Sequence, residues 1–134
     1  MSKKVYLSVL FIFSALSLFS QIYEPITWKI SSIEDGNTVE IKFEAAIEKG
    51  WHLYSKDLPK DSGIPTSMKI TSENAEVTGN VMEVGKKVET FSEAFGVQIV
   101  YYSDSVRFVQ KFGLKDPNGN KKISSEITFQ VCND

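Results

Sequence analysis

The sequence predicts an all-β fold, an immunoglobulin-like β-sandwich, behind a short export leader. Three observations predict it. Apolar and polar residues alternate with a period of two in several short segments. Turn-forming residues separate those segments at regular spacing. No segment keeps an apolar period of 3.6 long enough for a helix. Roughly seven or eight short strands of this kind read as two packed sheets.

The elements follow in chain order. Residues 1–20 have the form of a secretory signal peptide: Lys3 and Lys4, then an apolar run over 5–19, then small residues at Ser17 and Ser20. Cleavage is expected near Ser20 and Gln21. The run falls short of the roughly 20 residues that cross a bilayer as a helix. No second apolar run follows, so a soluble mature domain over 21–134 is expected. The leader holds no cysteine to carry a lipid anchor.

Residues 26–33 place Trp28 and Ile30 on one face and run into Asp35-Gly36, a turn signal. Val39, Ile41, Phe43, Ala45 and Ile47 then share one parity, against Glu40, Lys42 and Glu44 on the other. The two segments read as a hairpin. A short strand is expected over 51–54 after Gly50, then a loop over 55–65 that holds Pro59, Gly63 and Pro65. Further strands are expected over 66–71, 75–82, 97–102 and 105–112, the last two joined by a turn at Ser103-Asp104. Asp116-Pro117-Asn118-Gly119-Asn120 is a strong turn signal. A last strand is expected over 123–132.

In that last segment Ile123, Ile127, Phe129 and Val131 share one parity; Glu126, Thr128, Gln130 and Cys132 share the other. The apolar set must face the core, because a slip of one residue would bury Glu126 and Gln130. Cys132 is therefore expected to point away from the core or to sit at its rim. It is the one cysteine of the chain. In an oxidising compartment an odd cysteine points to intermolecular pairing or to a free reactive thiol. A harmless surface cysteine is the plain alternative.

Composition excludes several function classes. A formal net charge of −2, more acidic still once Lys3 and Lys4 leave with the leader, argues against nucleic acid. One His and one Cys cannot make a zinc site, so no metal is expected. There is no glycine-rich phosphate loop and no supported Ser-His-Asp set, and no cofactor is expected.

Three stretches, in this order and spacing, carry a resemblance. They are Gly50-Trp51-His52-Leu53-Tyr54-Ser55 with Ile64-Pro65-Thr66, then Phe91-Ser92-Glu93-Ala94-Phe95-Gly96 leading to Tyr101-Tyr102, then Phe129-Gln130-Val131-Cys132-Asn133-Asp134. Together they resemble the N-terminal periplasmic domain of the thiol:disulfide interchange protein DsbD, in its Bacteroidetes-like form. The likeness runs from about Trp28 to the last residue.

The resemblance implies an immunoglobulin-like fold and thiol–disulfide exchange in the periplasm. It implies thioredoxin-like periplasmic proteins and a membrane electron-transfer domain as partners. Cys132 matches the first cysteine of the family's reactive pair. The second is expected about five residues further on, so the chain reads as incomplete at its C-terminus. Ser92, Glu93, Ala94, Phe95 and Gly96 match a cap loop that shields the pair. Ala94 stands where an aromatic residue is frequent, which leaves open which ring covers the thiol. His52 and Tyr54 match a strand whose side chains line the site.

Residue type alone gives plainer readings: Phe95 as a core residue at a strand start, Glu93 as a solvated loop acid, His52 as a rim residue, Trp28 and Trp51 as core. Two functions stay in view. One is an electron relay left with one of two redox cysteines; the other is a secreted, non-catalytic protein-binding module. A generic adhesive sandwich is a third. With the final strand unpaired, a dimer through Cys132 or through the exposed edge is open to the chain.

Overall fold

The computed structural model of the protein describes residues 22–133. The leader expected over 1–20, its cleavage point and Asp134 lie outside the described residues.

The described chain is all β. The first hairpin forms as its pattern requires. β1 (Ile26–Asp35) pairs antiparallel with β2 (Thr38–Ile47), from Ile26 opposite Ile47 to Asp35 opposite Thr38. Gly36 makes the turn at φ 58°, a conformation that glycine adopts without a Cβ penalty. The apolar parity of β2 is buried throughout, with Phe43 wholly enclosed. β1 is an edge strand: Trp28 packs against the core, whereas Ile30 on the same parity stays exposed.

β3 (Trp51–Tyr54) and β4 (Ser67–Thr71) flank the loop over 55–66. The next two strands depart from expectation. β5 runs Ala75–Ser92 and β6 runs Val97–Leu114, each of 18 residues, as one long coiled hairpin. Ser103-Asp104 is therefore not a turn. Asp104 takes a left-handed φ of 64°, and the register slips between Gly85 and Lys87 opposite it. The turn residues have become a bulge, because continuous pairing with β5 keeps the ladder on both sides of it. A second slip lies between Thr78 and Met82, around left-handed Gly79. Carbonyls freed there are met by the buried Gln110, whose Nε2 donates to Thr78 O and Gly79 O, each at 3.3 Å.

The expected final strand is also two strands. β7 (Ser124–Thr128) pairs with β4 as a small sheet, and β8 (Val131–Asn133) pairs with β3 in the large one. The large sheet is ordered β1-β2-β6-β3-β8, with β5 on the other edge of β6. Met68 and Ile70 of β4, with Ile123 and Ile127, pack from the small sheet onto a core of Phe43, Leu53, Phe108 and Phe112. Two layers around one core make the sandwich. Phe129 leaves the small sheet edge-on to Trp28, with ring centroids 5.5 Å apart, and Val131 lands on the core in the large one. The crossing strand delivers Cys132 to β8.

Candidate functional site

β8 is short, and the register of its pairing decides what surrounds Cys132. Leu53 lies opposite Val131 and His52 lies opposite Cys132. Leu53 is fully buried in the core and Val131 packs against it. Alternation then puts His52 and Cys132 on the other face of the sheet. Cys132 is a free thiol, half-buried and outside the core cluster.

Tyr54 N donates to Gln130 O at 3.2 Å, which makes Tyr54 and Gln130 the next pair on that same face. Tyr54 is thus the diagonal neighbour of Cys132, within reach of a long side chain. Burial first, then hydrogen bonding toward Cys132, then the charge of its thiolate push the Tyr54 pKa up to about 12. Below that, the phenol is neutral and able to donate to a thiolate.

β6 supplies the third strand of the face. Ser103 Oγ lies 2.9 Å from His52 Nδ1, and the Tyr101 ring sits against the imidazole with centroids 4.2 Å apart. Cys132, His52, Tyr54, Tyr101 and Ser103 thus form one connected patch across β8, β3 and β6.

The loop over 55–66 walls this patch. Thr66 Oγ1 donates to Tyr54 O at 2.5 Å, and Ile64 N donates to Gln130 Oε1 at 2.8 Å. Gly63, at φ 125°, lies against the Tyr54 ring: a Cβ there would come within 2.9 Å of Tyr54 Cε2. At its start the loop is fixed by Glu83 of β5. That carboxylate accepts from Ser55 Oγ at 2.8 and 2.9 Å, from Lys56 N at 2.6 Å and from Tyr102 OH at 2.9 Å. Burial, then the Glu83 bond and charge, raise the pKa of Tyr102 far above its ordinary value.

The matched cap segment is the tip of the β5–β6 hairpin. Ser92 O accepts from Gly96 N at 2.7 Å, and Ser92 Oγ accepts from Phe95 N at 3.4 Å. Gly96 is left-handed, at φ 69°. Glu93, Ala94 and Phe95 are exposed. From Tyr101, in the patch, back to Val97 at this tip, β6 rises about 13 Å at the usual strand spacing. Among the described residues the hydrogen bonds of the tip stay within it; the structure brings Cys132, His52 and Tyr54 together, and Ser92 to Gly96 stand apart from them at the hairpin tip.

Sequence reasoning did not single out Ser103, Tyr101, Gln130, Gly63 or Glu83 as site residues. Ser103 and Tyr101 would have been found by the register of β3 against β6, and Gln130 by that of β3 against β8, which no single segment carries; Gly63 in the loop and Glu83 on β5 are placed by tertiary contacts alone.

Comparison with known proteins agrees with the fold. Residues 22–134 match the family described as the N-terminal domain of the thiol:disulfide interchange protein DsbD. Among solved structures, the N-terminal periplasmic domain of ScsB from Proteus mirabilis superposes with a TM-score of 0.62 at 13% sequence identity. The superposition covers 83% of this chain and 42% of that one, so the chain spans less than half the length of that protein. At that identity the likeness speaks for the fold alone. No curated protein sequence matches the chain at a significant level.

Proposed function

The chain belongs to the DsbD N-terminal domain family, and from that premise we propose that it is a periplasmic thiol–disulfide exchange module whose exchanging sulfur is Cys132. One observation carries the reading. The chain's sole thiol stands half-buried on the face of the sheet away from the core, directly opposite His52 and diagonal to Tyr54.

Exchange needs a sulfur that is reachable and at least partly ionised. Tyr54 is held as the neutral phenol beside this sulfur. Among the described residues β8 pairs with β3 alone, so its other edge is one where a partner's chain can lie alongside. Partners that suit this chemistry are thioredoxin-like periplasmic proteins, with reducing equivalents drawn from a membrane electron-transfer domain and passed to oxidised periplasmic proteins. Attack at Cys132 gives a mixed disulfide, which a second thiol then resolves. Ser92 to Gly96 would serve as the cap by folding the hairpin tip toward the patch.

Trapping tests the reading. A thioredoxin-like protein with its resolving cysteine changed to Ser, activated as a mixed disulfide with a small aromatic thiol, should form a covalent adduct with the folded domain. The Cys132→Ser variant should form none. No adduct with any thioredoxin-like partner would overturn the proposal.

A second reading draws on β5, where Val77, Met82, Val84 and Phe91 are exposed along an edge strand. That surface favours a binding module that docks a partner without exchanging electrons. Capture of the same partner by Cys132→Ser with undiminished affinity, and no adduct with the natural chain, would select it.

A further inference from the structure

We propose that His52 carries the proton of the exchange step at Cys132, held in place for it by Ser103 and Tyr101. The inference deepens the exchange reading above and rests on it.

Placement comes first. His52 and Cys132 are directly opposed on antiparallel strands. Opposed residues share a face, with Cβ atoms about 4.5–5.5 Å apart, which sets an imidazole within reach of a sulfur on the same face. The core face is taken by Leu53 and Val131, so neither side chain can turn inward.

Orientation comes second. Ser103 Oγ lies 2.9 Å from Nδ1 and fixes the rotation of the ring. A hydroxyl can donate to a neutral ring nitrogen or accept from a protonated one, so this contact survives a change in the ring's charge. The Tyr101 ring, with its centroid 4.2 Å from that of the imidazole, offers an aromatic face to a cationic ring. Both supports suit a group that gains and loses a proton. By register the surrounding titratable groups are Cys132 on β8, Tyr101 on β6 and Tyr54 on its own strand. Lys86 and Asp104 lie at the exposed bulge beside Ser103.

The step balances without a further reagent. The Cys132 thiol gives its proton to the imidazole. The thiolate attacks one sulfur of the partner's disulfide; that S–S bond breaks and a new one joins Cys132 to the attacked sulfur. The electron pair leaves on the partner's second sulfur, which takes the proton back from His52. Cys132 is oxidised and the released sulfur is reduced.

The test follows the rate at which the folded chain reacts with dithionitrobenzoate, a small disulfide, across about pH 5 to 9. The natural chain should show a step in its pH–rate profile that depends on His52. In His52→Gln that step should vanish, with the rate near neutrality lower by about tenfold or more. Ser103→Ala should keep the step and displace it. An unchanged profile in folded His52→Gln overturns the proposal. Should that variant fail to fold, the imidazole titration of the natural chain followed by NMR decides, before and after S-methylation of Cys132. A displaced titration supports the coupling, and an unmoved one refutes it. A His52-dependent step with no adduct to a thioredoxin-like protein would reject the exchange partner and keep the proton role. An adduct formed with no such step would reject His52 alone.

Discussion

Tyr54 is where backbone, loop and thiol meet, and its ionisation is directly measurable. Its pKa stands at about 12 against an ordinary 10 because the ring is buried and its hydroxyl faces sulfur. A raised pKa means that the neutral phenol is the form the fold prefers. The associated stability is complete below about pH 10 and is lost as pH climbs through about 12. The folded domain should therefore weaken over that alkaline window, and Tyr54→Phe should weaken less steeply there, as followed by denaturant midpoints against pH. Gly63 guards this ring. Gly63→Ala combines an unfavourable φ with a collision on Tyr54, and should cost more than about 1 kcal/mol in chemical denaturation. An unchanged midpoint would mean that the loop does not wall the site.

At the scale of elements, the bracket between β5 and the loop over 55–66 is the feature to probe. Glu83 is the common acceptor for Ser55, Lys56 N and Tyr102. Replacing it with Ala leaves donors unmet, at about 1–3 kcal/mol each when buried. Glu83→Ala should lower the denaturation midpoint and speed proteolysis within 55–66 before the sheets open; intact resistance there would show that the loop stands without it. This element also shows the limit of local reading. The β1–β2 hairpin and β3 were legible because alternation and turn chemistry agreed within each segment. β6 was read as two strands, since Ser103-Asp104 has turn residues and a bulge uses the same ones. The second half of β5 was missed, because Gly79, Gly85, Lys86 and Lys87 break its alternation. The last segment kept its parity and still divided, as nothing in parity records a change of sheet. For the site, Cys132's outward placement was legible from that same parity. The neighbours of Cys132 were not, because they arrive from strands distant in sequence.

Across the whole molecule, stability should be uneven. The core of Phe43, Leu53, Phe108 and Phe112 lies where β2, β3 and β6 meet under the small sheet. Phe108→Ala should cost about 3–5 kcal/mol and unfold the domain as a unit. β4 and β7 have only each other as ladder partners, and β8 has three residues on one neighbour. Their amides should exchange with deuterium through local opening, while β2 and β6 exchange only with global unfolding. Uniform protection across all strands would contradict that ranking. Opening of β8 ahead of β6 would suit a thiol that must meet a partner while its supporting side chains hold still. We propose that the fold, and not the mere presence of a cysteine, makes Cys132 an exchanger of protein disulfides. Second-order rates of mixed-disulfide formation with a thioredoxin-like protein, compared for the folded domain and for a free peptide spanning 127–134, decide it. The domain should react faster by at least about tenfold, the equivalent of about 1.4 kcal/mol; equal rates would show that the fold adds nothing to the cysteine.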